Sequence, residues 1–205
     1  MIRLVIFGSF YRGFCVLDEF LYRGARHGIE VVGVATDDPT QTFVSRDKRL
    51  WQYPHEVHEE LMVEQLAQKH GLPVHKERVK TAAFYERYEQ QWRPDICISA
   101  TFGQRIDQRL FSFPRFGFFN LHPCLADRWP SMYAGPNPFQ ALKDDGHTHT
   151  QVAYHAVDDG FDTGKLVAMS ERIGFPPNAS VIDLHKMTSP LVAKFAFEQT
   201  LKLIA

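Results

Sequence analysis

An amide, an imidazole and a carboxylate stand out in this chain as groups that could act together on a carbonyl. Asn120 and His122 are two positions apart in an apolar, extended stretch, so both side chains project from the same face. Asp162 lies in the turn-rich segment 157–164, whose three carboxylates stand among glycines, and such a turn can bring a carboxylate against an imidazole. These groups could supply the oxyanion donors and the proton acceptor that an amine needs to attack an amide-like carbonyl.

Each group has an expected role in that reaction. Asn120 and a protonated His122 would donate hydrogen bonds to the oxyanion, and Asp162 would raise the pKa of the imidazole toward its protonated form. Asp162 would also take the proton of the amine, directly or through water. Taken singly, His122 could be a structural histidine, and Asn120 or Asp162 could simply stabilise a turn.

The elements around these residues predict an α/β fold. Short apolar or β-branched runs predict strands at residues 2–7, 30–36, 72–75, 95–100, 117–121, 150–157 and 165–173. Helical spacing of apolar residues predicts helices after residue 9, at 55–70, 81–91 and 138–144, and from 181 onward. Strands that alternate with helices form a doubly wound, mostly parallel sheet, and the last two strands should form an antiparallel C-terminal pair. We predict one domain over residues 1–205, with a long loop at 41–54.

Polar residues follow three of the predicted strands. Ser9 follows the first strand, residues 101–104 follow the strand at 95–100, and Asn120 begins the third group. In open α/β sheets the ligand crevice lies beyond the carboxyl ends of the strands. The three groups are therefore expected to meet at one edge of the sheet.

The motifs around these residues resemble those of the formyltetrahydrofolate-dependent formyltransferases. The matching stretches are Phe-Asn-Leu-His-Pro at 119–123, Arg-Trp at 128–129 and Val-Asp-Asp-Gly-Phe-Asp-Thr-Gly at 157–164. The helix and strand at 66–74 are also similar, so the resemblance spans nearly the whole chain. It implies a Rossmann-like formyltransferase fold and catalytic roles for Asn120, His122 and Asp162.

The resemblance further implies N10-formyltetrahydrofolate as cosubstrate and no metal ion. One predicted folate-binding segment, similar to the part of the family that contacts the pterin ring, comprises Phe102, Gly103, Gln104, Arg105 and Ile106. The other, similar to the family's folate-binding loop, comprises Val157, Asp158, Asp159 and Gly160. The histidine pairs at 55/58 and 147/149 lack further ligands for a metal site.

The acceptor is expected to be a small-molecule amine, such as an amino sugar nucleotide or an amino acid derivative. The predicted acceptor-binding residues are Ser9, Tyr11, Arg128, Trp129 and Tyr133. Segment 8–13 lacks the asparagine-rich phosphate loop that is typical of the glycinamide ribonucleotide enzymes. A tRNA-binding barrel is not expected in this protein. The family's usual Leu-Leu-Pro is replaced by Leu-Ala-Asp at 125–127, so the acceptor stays open.

Two other functions remain as alternatives. A formyltetrahydrofolate hydrolase would use water in place of the amine and release formate, although the regulatory domain of that branch of the family is not expected here. A non-catalytic folate-binding module would keep the pocket without the chemistry. Cys124, close to His122, could be imagined as a nucleophile, but direct attack by an amine needs no thiol.

Composition narrows the class of partner. Charged residues make up 23% of the chain and the formal net charge is −1, so nucleic acid is a disfavoured partner and an anionic membrane surface is not expected. Three widely spaced cysteines and a short N-terminal apolar run favour a cytoplasmic protein with reduced thiols. A homodimer is left open as an assembly.

Overall fold

The computed structural model describes residues 1–43, 50–130 and 133–205. Its strands are β1 Ile2–Gly8, β2 Ile29–Ala35, β3 Val74–His75, β4 Ile96–Ala100, β5 Phe118–Cys124, β6 His149–Ala156, β7 Leu166–Met169 and β8 Ile173–Gly174. Its α-helices are α1 Phe10–Arg23, α2 Val57–Lys69, α3 Ala82–Glu86, α4 Gln108–Phe111, α5 Pro138–Asp144 and α6 Val181–Ile204. None of the helices in these ranges is long and apolar enough to cross a bilayer.

The strands form one mixed sheet in the order β3-β2-β1-β4-β5-β6-β7, with β8 paired to β6. All pairs from β3 to β5 are parallel, whereas β6 is antiparallel to β5, β7 and β8. This arrangement confirms the predicted doubly wound, mostly parallel sheet with antiparallel strands toward the C-terminus.

The central strand β1 shows why the sheet is covered on both faces. Leu4 and Ile6 belong to a core that includes apolar residues of α1, α2 and α6. Val5 and Phe7 point the other way, into a core formed with α3, its π-helical continuation Arg87–Trp92, and α4. Because side chains alternate along a strand, a run without polar residues must be buried on both sides.

Several predicted elements differ from the structure. The strand predicted at 165–173 is split into β7 and β8, because the Ser170 hydroxyl accepts the Val152 N–H at 2.8 Å where the ladder would continue. Helix α4 has no counterpart in the prediction. Of the loop predicted at 41–54, residues 44–49 lie outside the described part of the chain, and Leu50–Gln52 form a 3-10 turn.

Strand β5 continues further than predicted, through Pro123 to Cys124. Its parallel pairing with β4 ends at Ser99 opposite Asn120, while its antiparallel pairing with β6 continues to Cys124. A proline fits here because β5 has lost one neighbour, so no ladder bond to β4 is needed. Asn120 and His122 therefore lie within a strand, at the point where the adjacent strand has stopped.

Helix α1 is held against β1 by two glycines. A Cβ added to Gly13 would lie 2.6 Å from the carbonyl carbon of Gly8. Because that neighbour is backbone, a side chain can be accommodated only if the helix moves. We expect Gly13→Ala to lower the free energy of unfolding by about 1–3 kcal/mol, the usual cost of overpacking a filled site. Urea denaturation measures this difference.

Gly174→Ala is the matched control for that variant, because nothing lies within 4 Å of a Cβ built at Gly174. Its unfolding midpoint should stay close to that of the unmodified protein. Equal midpoints for both variants would contradict the proposed contact between α1 and β1.

Candidate active site

The candidate site lies where β5 and β6 run together beyond the end of β4. Asn120 pairs directly with His155 of β6, and His122 pairs with Ala153. Asn120 and His122 lie on one face of β5, as their spacing predicts. The pairing of β6 with β7 has a register shift between Tyr154 and His155, so His155 lies next to an irregularity in the sheet.

Asp162 completes the cluster from the loop that follows β6. Its Oδ1 accepts a hydrogen bond from Asn120 Nδ2 at 2.9 Å, and its Oδ2 lies 3.3 Å from His122 Nδ1. The side chains of His122 and Asp162 are only 6% and 13% exposed. The structure thus brings together the amide, imidazole and carboxylate that the sequence singled out.

The backbone of this loop is held in a rare conformation. Asp162 has a φ of 52°, in the left-handed region that aspartate and asparagine tolerate better than most side chains. Two residues later, a Cβ at Gly164 would lie 1.8 Å from the carbonyl oxygen of Ala156, so only glycine lets the chain return this close to β6. These two features place the carboxylate against the imidazole.

Burial controls the protonation of His122. Removal from water lowers its pKa to about 4, and this effect outweighs the opposing influence of Asp162. The expectation of a protonated His122 is therefore wrong for the protein without substrate. The prediction considered the attraction of the carboxylate but not the loss of solvent.

Both ring nitrogens of His122 face protein atoms. Nε2 lies 3.0 Å from the carbonyl oxygen of Tyr133, so it carries a hydrogen and donates. In the neutral ring Nδ1 is then unprotonated and directs its lone pair at the Asp162 carboxylate. Because His122 Nδ1 and the Asp162 carboxylate are both proton acceptors and lie in contact, an added proton would bind between them.

His155 is a member of the cluster that the sequence analysis missed. Its Nδ1 lies 2.8 Å from the carbonyl oxygen of Ala156, and its Nε2 lies 3.5 Å from Asp162 Oδ1. The carboxylate is therefore flanked by two imidazoles, and its pKa is lowered although burial opposes that shift. The signal in the sequence was weak, because the register between β5 and β6 is needed to place His155 opposite Asn120.

A cavity of about 370 Å³ opens onto this cluster. Eight of the nine predicted folate-binding residues line it: Phe102, Gly103, Gln104, Arg105, Ile106, Val157, Asp158 and Gly160. Asp159 does not line the cavity, but its carbonyl oxygen accepts a hydrogen bond from Arg105 Nη2 at 2.6 Å, which links the two predicted segments.

Only one of the five predicted acceptor-binding residues lines the cavity. Ser9 lines the cavity, whereas Tyr11, Arg128, Trp129 and Tyr133 do not. Tyr11 points away and donates its hydroxyl hydrogen to Glu59. Arg128 lies near Asp127 with its side chain 54% exposed, and Trp129 packs on the His155 ring at 4.7 Å between centroids. Tyr133 contributes its carbonyl to His122, while its hydroxyl donates to Asp145.

Other residues line the cavity without having been assigned a role there. They are Phe10, Arg12, Asp37, Trp51, Phe161 and His185, among others. Asp37 Oδ2 accepts from the Ser9 hydroxyl at 3.1 Å and from the Gly103 N–H at 2.6 Å. It therefore joins the end of β1 to the loop after β4.

The contacts of Cys124 and of the two histidine pairs indicate structural roles. Burial raises the pKa of Cys124 to about 12, so it carries no thiolate at neutral pH. His55 contacts Glu60 at 2.8 Å, and His149 contacts Arg172 at 2.9 Å. No group of three or more side chains suited to a metal ion occurs within the described ranges.

Comparison with known proteins identifies the class. Residues 3–189 match the model of the formyl transferase family, so this chain belongs to that family. Its sheet, its Asn120, His122 and Asp162 cluster and its motif at 157–164 lie within the matched region.

Particular relatives share this region to different extents. The methionyl-tRNA formyltransferase of Thermotoga maritima is 27% identical over 188 residues, which cover 90% of this chain and 54% of the relative. The methionyl-tRNA formyltransferase of Kosmotoga olearia is 28% identical over 144 residues, covering 70% and 44%. The chain spans about half the length of the curated relatives it matches.

Solved structures with other activities share the fold. Glycinamide ribonucleotide transformylase 1 from Geobacillus kaustophilus superposes with a TM-score of 0.72 at 18% identity, with both chains covered in full. A formyltetrahydrofolate deformylase from Pseudomonas syringae pv. tomato gives 0.67 at 13% identity, covering 98% of this chain and 61% of that one. At these identities the likeness establishes the fold alone.

Proposed function

We propose that this chain transfers the formyl group of N10-formyltetrahydrofolate to the amine of a small molecule. The observation that carries the proposal is that Asn120, His122 and Asp162 meet in a cavity that is also lined by eight of the nine predicted folate-binding residues. Membership of the formyl transferase family supports the same chemistry. The acceptor would be an amino sugar nucleotide or an amino acid derivative.

Polar contacts hold the two predicted folate-binding segments in the cavity wall. Gln104 holds the first segment in place by accepting the Val79 N–H and donating to the Glu77 carbonyl. Arg105 crosses to the second segment, where its guanidinium also lies 5.2 Å from the Phe161 ring centroid. A folate carrier whose pterin is held by these segments would present the formyl group on its N10 toward Asn120. The folate carrier supplies the activated one-carbon group, and the protein supplies its orientation.

The transfer begins when the lone pair of a neutral amine attacks the formyl carbon. A carbon–nitrogen bond forms, and the carbonyl electrons move onto oxygen. Asn120 donates one N–H to Asp162 and has a second N–H for the oxyanion, since a carboxamide nitrogen carries two hydrogens. Because both ring nitrogens of His122 face protein atoms, the oxyanion role falls to Asn120 rather than to the pair first expected.

The proton of the amine then needs an acceptor. Asp162 Oδ2 and His122 Nδ1 lie 3.3 Å apart and can share one added proton, forming an imidazolium beside a carboxylate. The bond between the formyl carbon and N10 breaks as the oxyanion collapses and the carbonyl reforms, and N10 receives the proton that the Asp162–His122 pair took from the amine. The amide product and tetrahydrofolate leave with atoms and charge in balance.

A product assay tests this function directly. The protein is mixed with N10-formyltetrahydrofolate and a panel of amines; tetrahydrofolate is followed by absorbance, formate is measured enzymatically, and N-formyl products are identified by mass spectrometry. We expect tetrahydrofolate release that depends on an amine and an equal amount of formylated amine. Formate release without an amine would instead indicate a hydrolase. Tight folate binding without turnover across the panel would indicate a binding module.

A further inference from the structure

The wall of the cavity includes a buried arginine that has no counter-ion among the described residues. Arg12, in the first turn of α1, is 2% exposed and lines the cavity. Its Nη2 lies 3.5 Å from the Thr188 hydroxyl, and its Nε has no hydrogen-bond partner. Across residues 1–43, 50–130 and 133–205, no carboxylate forms an ion pair with it.

Arg12 remains a cation in this setting. Burial lowers its pKa to about 10, which still leaves the guanidinium protonated at neutral pH. Guanidinium groups are rarely buried without a partner, because losing water around an uncompensated charge is strongly unfavourable. A ligand that brings a negative charge would remove this penalty.

Two more unpaired donors lie beside the same space. Trp51 Nε1 and His185 Nδ1 are buried without a hydrogen-bond partner, and both residues line the cavity. An indole N–H can only donate, so Trp51 requires an acceptor atom. Burial lowers the pKa of His185 well below its usual range, so its ring is neutral and can present an N–H from Nδ1.

Phe139 of α5 holds the arginine and the histidine on a common surface. The Arg12 guanidinium lies 5.4 Å from the Phe139 ring centroid, and the His185 ring lies 4.8 Å from it in an edge contact. Contact with the same ring places the two polar groups near each other and restricts their movement. Arg12 and His185 are therefore arranged before a ligand arrives, which reduces the entropy lost on binding.

This group of donors is connected to the candidate reaction centre. Asn120, His122 and Asp162 line the same cavity as Arg12. The positive charge of Arg12 contributes to the lowered pKa of His122, so the two are within electrostatic range. A molecule bound at Arg12 could thus place another of its groups beside the catalytic cluster.

We propose that Arg12, Trp51 and His185 bind an oxyanion, a carboxylate or a phosphate, that belongs to the amine acceptor. The identification of this ligand as the acceptor rests on the proposed formyl transfer. Bidentate recognition suits a guanidinium, because its planar donors match two oxygens of either anion. The acceptor is then an anionic amine, and a neutral amine of the same shape is a poor substrate.

Calorimetry with matched ligand pairs tests the proposal in the absence of formyl donor. The pairs are alanine with alaninamide and glucosamine 1-phosphate with glucosamine, which distinguish a carboxylate from a phosphate. We expect at least one anionic member to bind about 10- to 100-fold more tightly than its neutral counterpart, as is typical of a charge-assisted hydrogen bond. Arg12→Gln should remove this preference.

Arg26→Gln is the matched control, because Arg26 is exposed and outside the cavity. It should keep the preference. The absence of any preference in the unmodified protein, or an unchanged preference in folded Arg12→Gln, would overturn the proposal. If Arg12→Gln does not fold, Trp51→Phe, which removes a donor but keeps an aromatic ring, should weaken binding of the anionic member several-fold, and unchanged binding would count against the site.

The two proposals can fail separately. Anion preference without formyl transfer to any amine would contradict the enzymatic function but leave the anion site in place. Formyl transfer at equal kcat/KM to the anionic and neutral members of both pairs would contradict the anion site alone.

Discussion

Replacing Asp162 by Asn should lower kcat for formyl transfer by about 10²- to 10⁴-fold, the range expected when a general base is lost. The variant removes the negative charge that faces His122 Nδ1 at 3.3 Å, so the shared proton has no carboxylate to stabilise it. Binding of the folate carrier should change little. Stopped-flow or steady-state measurement of tetrahydrofolate release gives kcat, and calorimetry gives the folate affinity.

The substitution is designed to keep the fold. Asparagine adopts left-handed backbone conformations readily, so the φ of 52° at position 162 remains accessible to it. Its side chain has the same shape and can still accept the Asn120 hydrogen bond through oxygen. A loss of activity with an unchanged unfolding midpoint would therefore report on chemistry.

Asp18→Asn is the matched control for removal of a carboxylate. Asp18 is exposed and does not line the cavity, so kcat of this variant should stay within about a factor of two of that of the unmodified protein, as for most surface substitutions. Near-normal turnover in Asp162→Asn would contradict the role given to this carboxylate. An equal loss in both variants would show that the effect is not specific to Asp162.

The sequence predicted the fold well where local pattern determines structure. The apolar run of β4, with Cys97 and Ile98 fully buried, required cover on both faces and so indicated a central strand. The i, i+2 spacing of Asn120 and His122 correctly placed both side chains on one face. The split of β7 and β8 was not predictable, because it depends on a hydrogen bond between Ser170 and the distant Val152.

The site was predicted less completely because part of it depends on tertiary distances. His155 can be assigned to the site only from the strand register, which places it opposite Asn120. Arg12 can be recognised as a candidate binding residue only because contacts with α6 and α5 bury it. A lone arginine in a helix is ordinarily exposed. Tyr11 is next to Arg12 in sequence, yet it faces Glu59 on the other side of α1. One step along a helix turns a side chain by roughly 100°, so neighbours rarely share a site.

The protonation of His122 shows a similar limit. An adjacent carboxylate raises the pKa of an imidazole, while burial lowers it, and only the structure reveals which effect is larger. Here burial prevails, and His122 is neutral when the site is empty of substrate. A neutral imidazole is able to accept a proton, so the correction changes His122 from an oxyanion donor into a part of the proton acceptor.

His122→Ala should also lower kcat by about 10²- to 10⁴-fold, since it removes one of the two groups that share the proton of the amine. Because His122 and Asp162 act as a unit, the double variant with Asp162→Asn should be no slower than the more impaired single variant. A double-mutant cycle on kcat measures this coupling, with exposed His58→Ala as a control for histidine removal. If the two losses multiplied instead, the residues would act independently, and the shared-proton mechanism would be wrong.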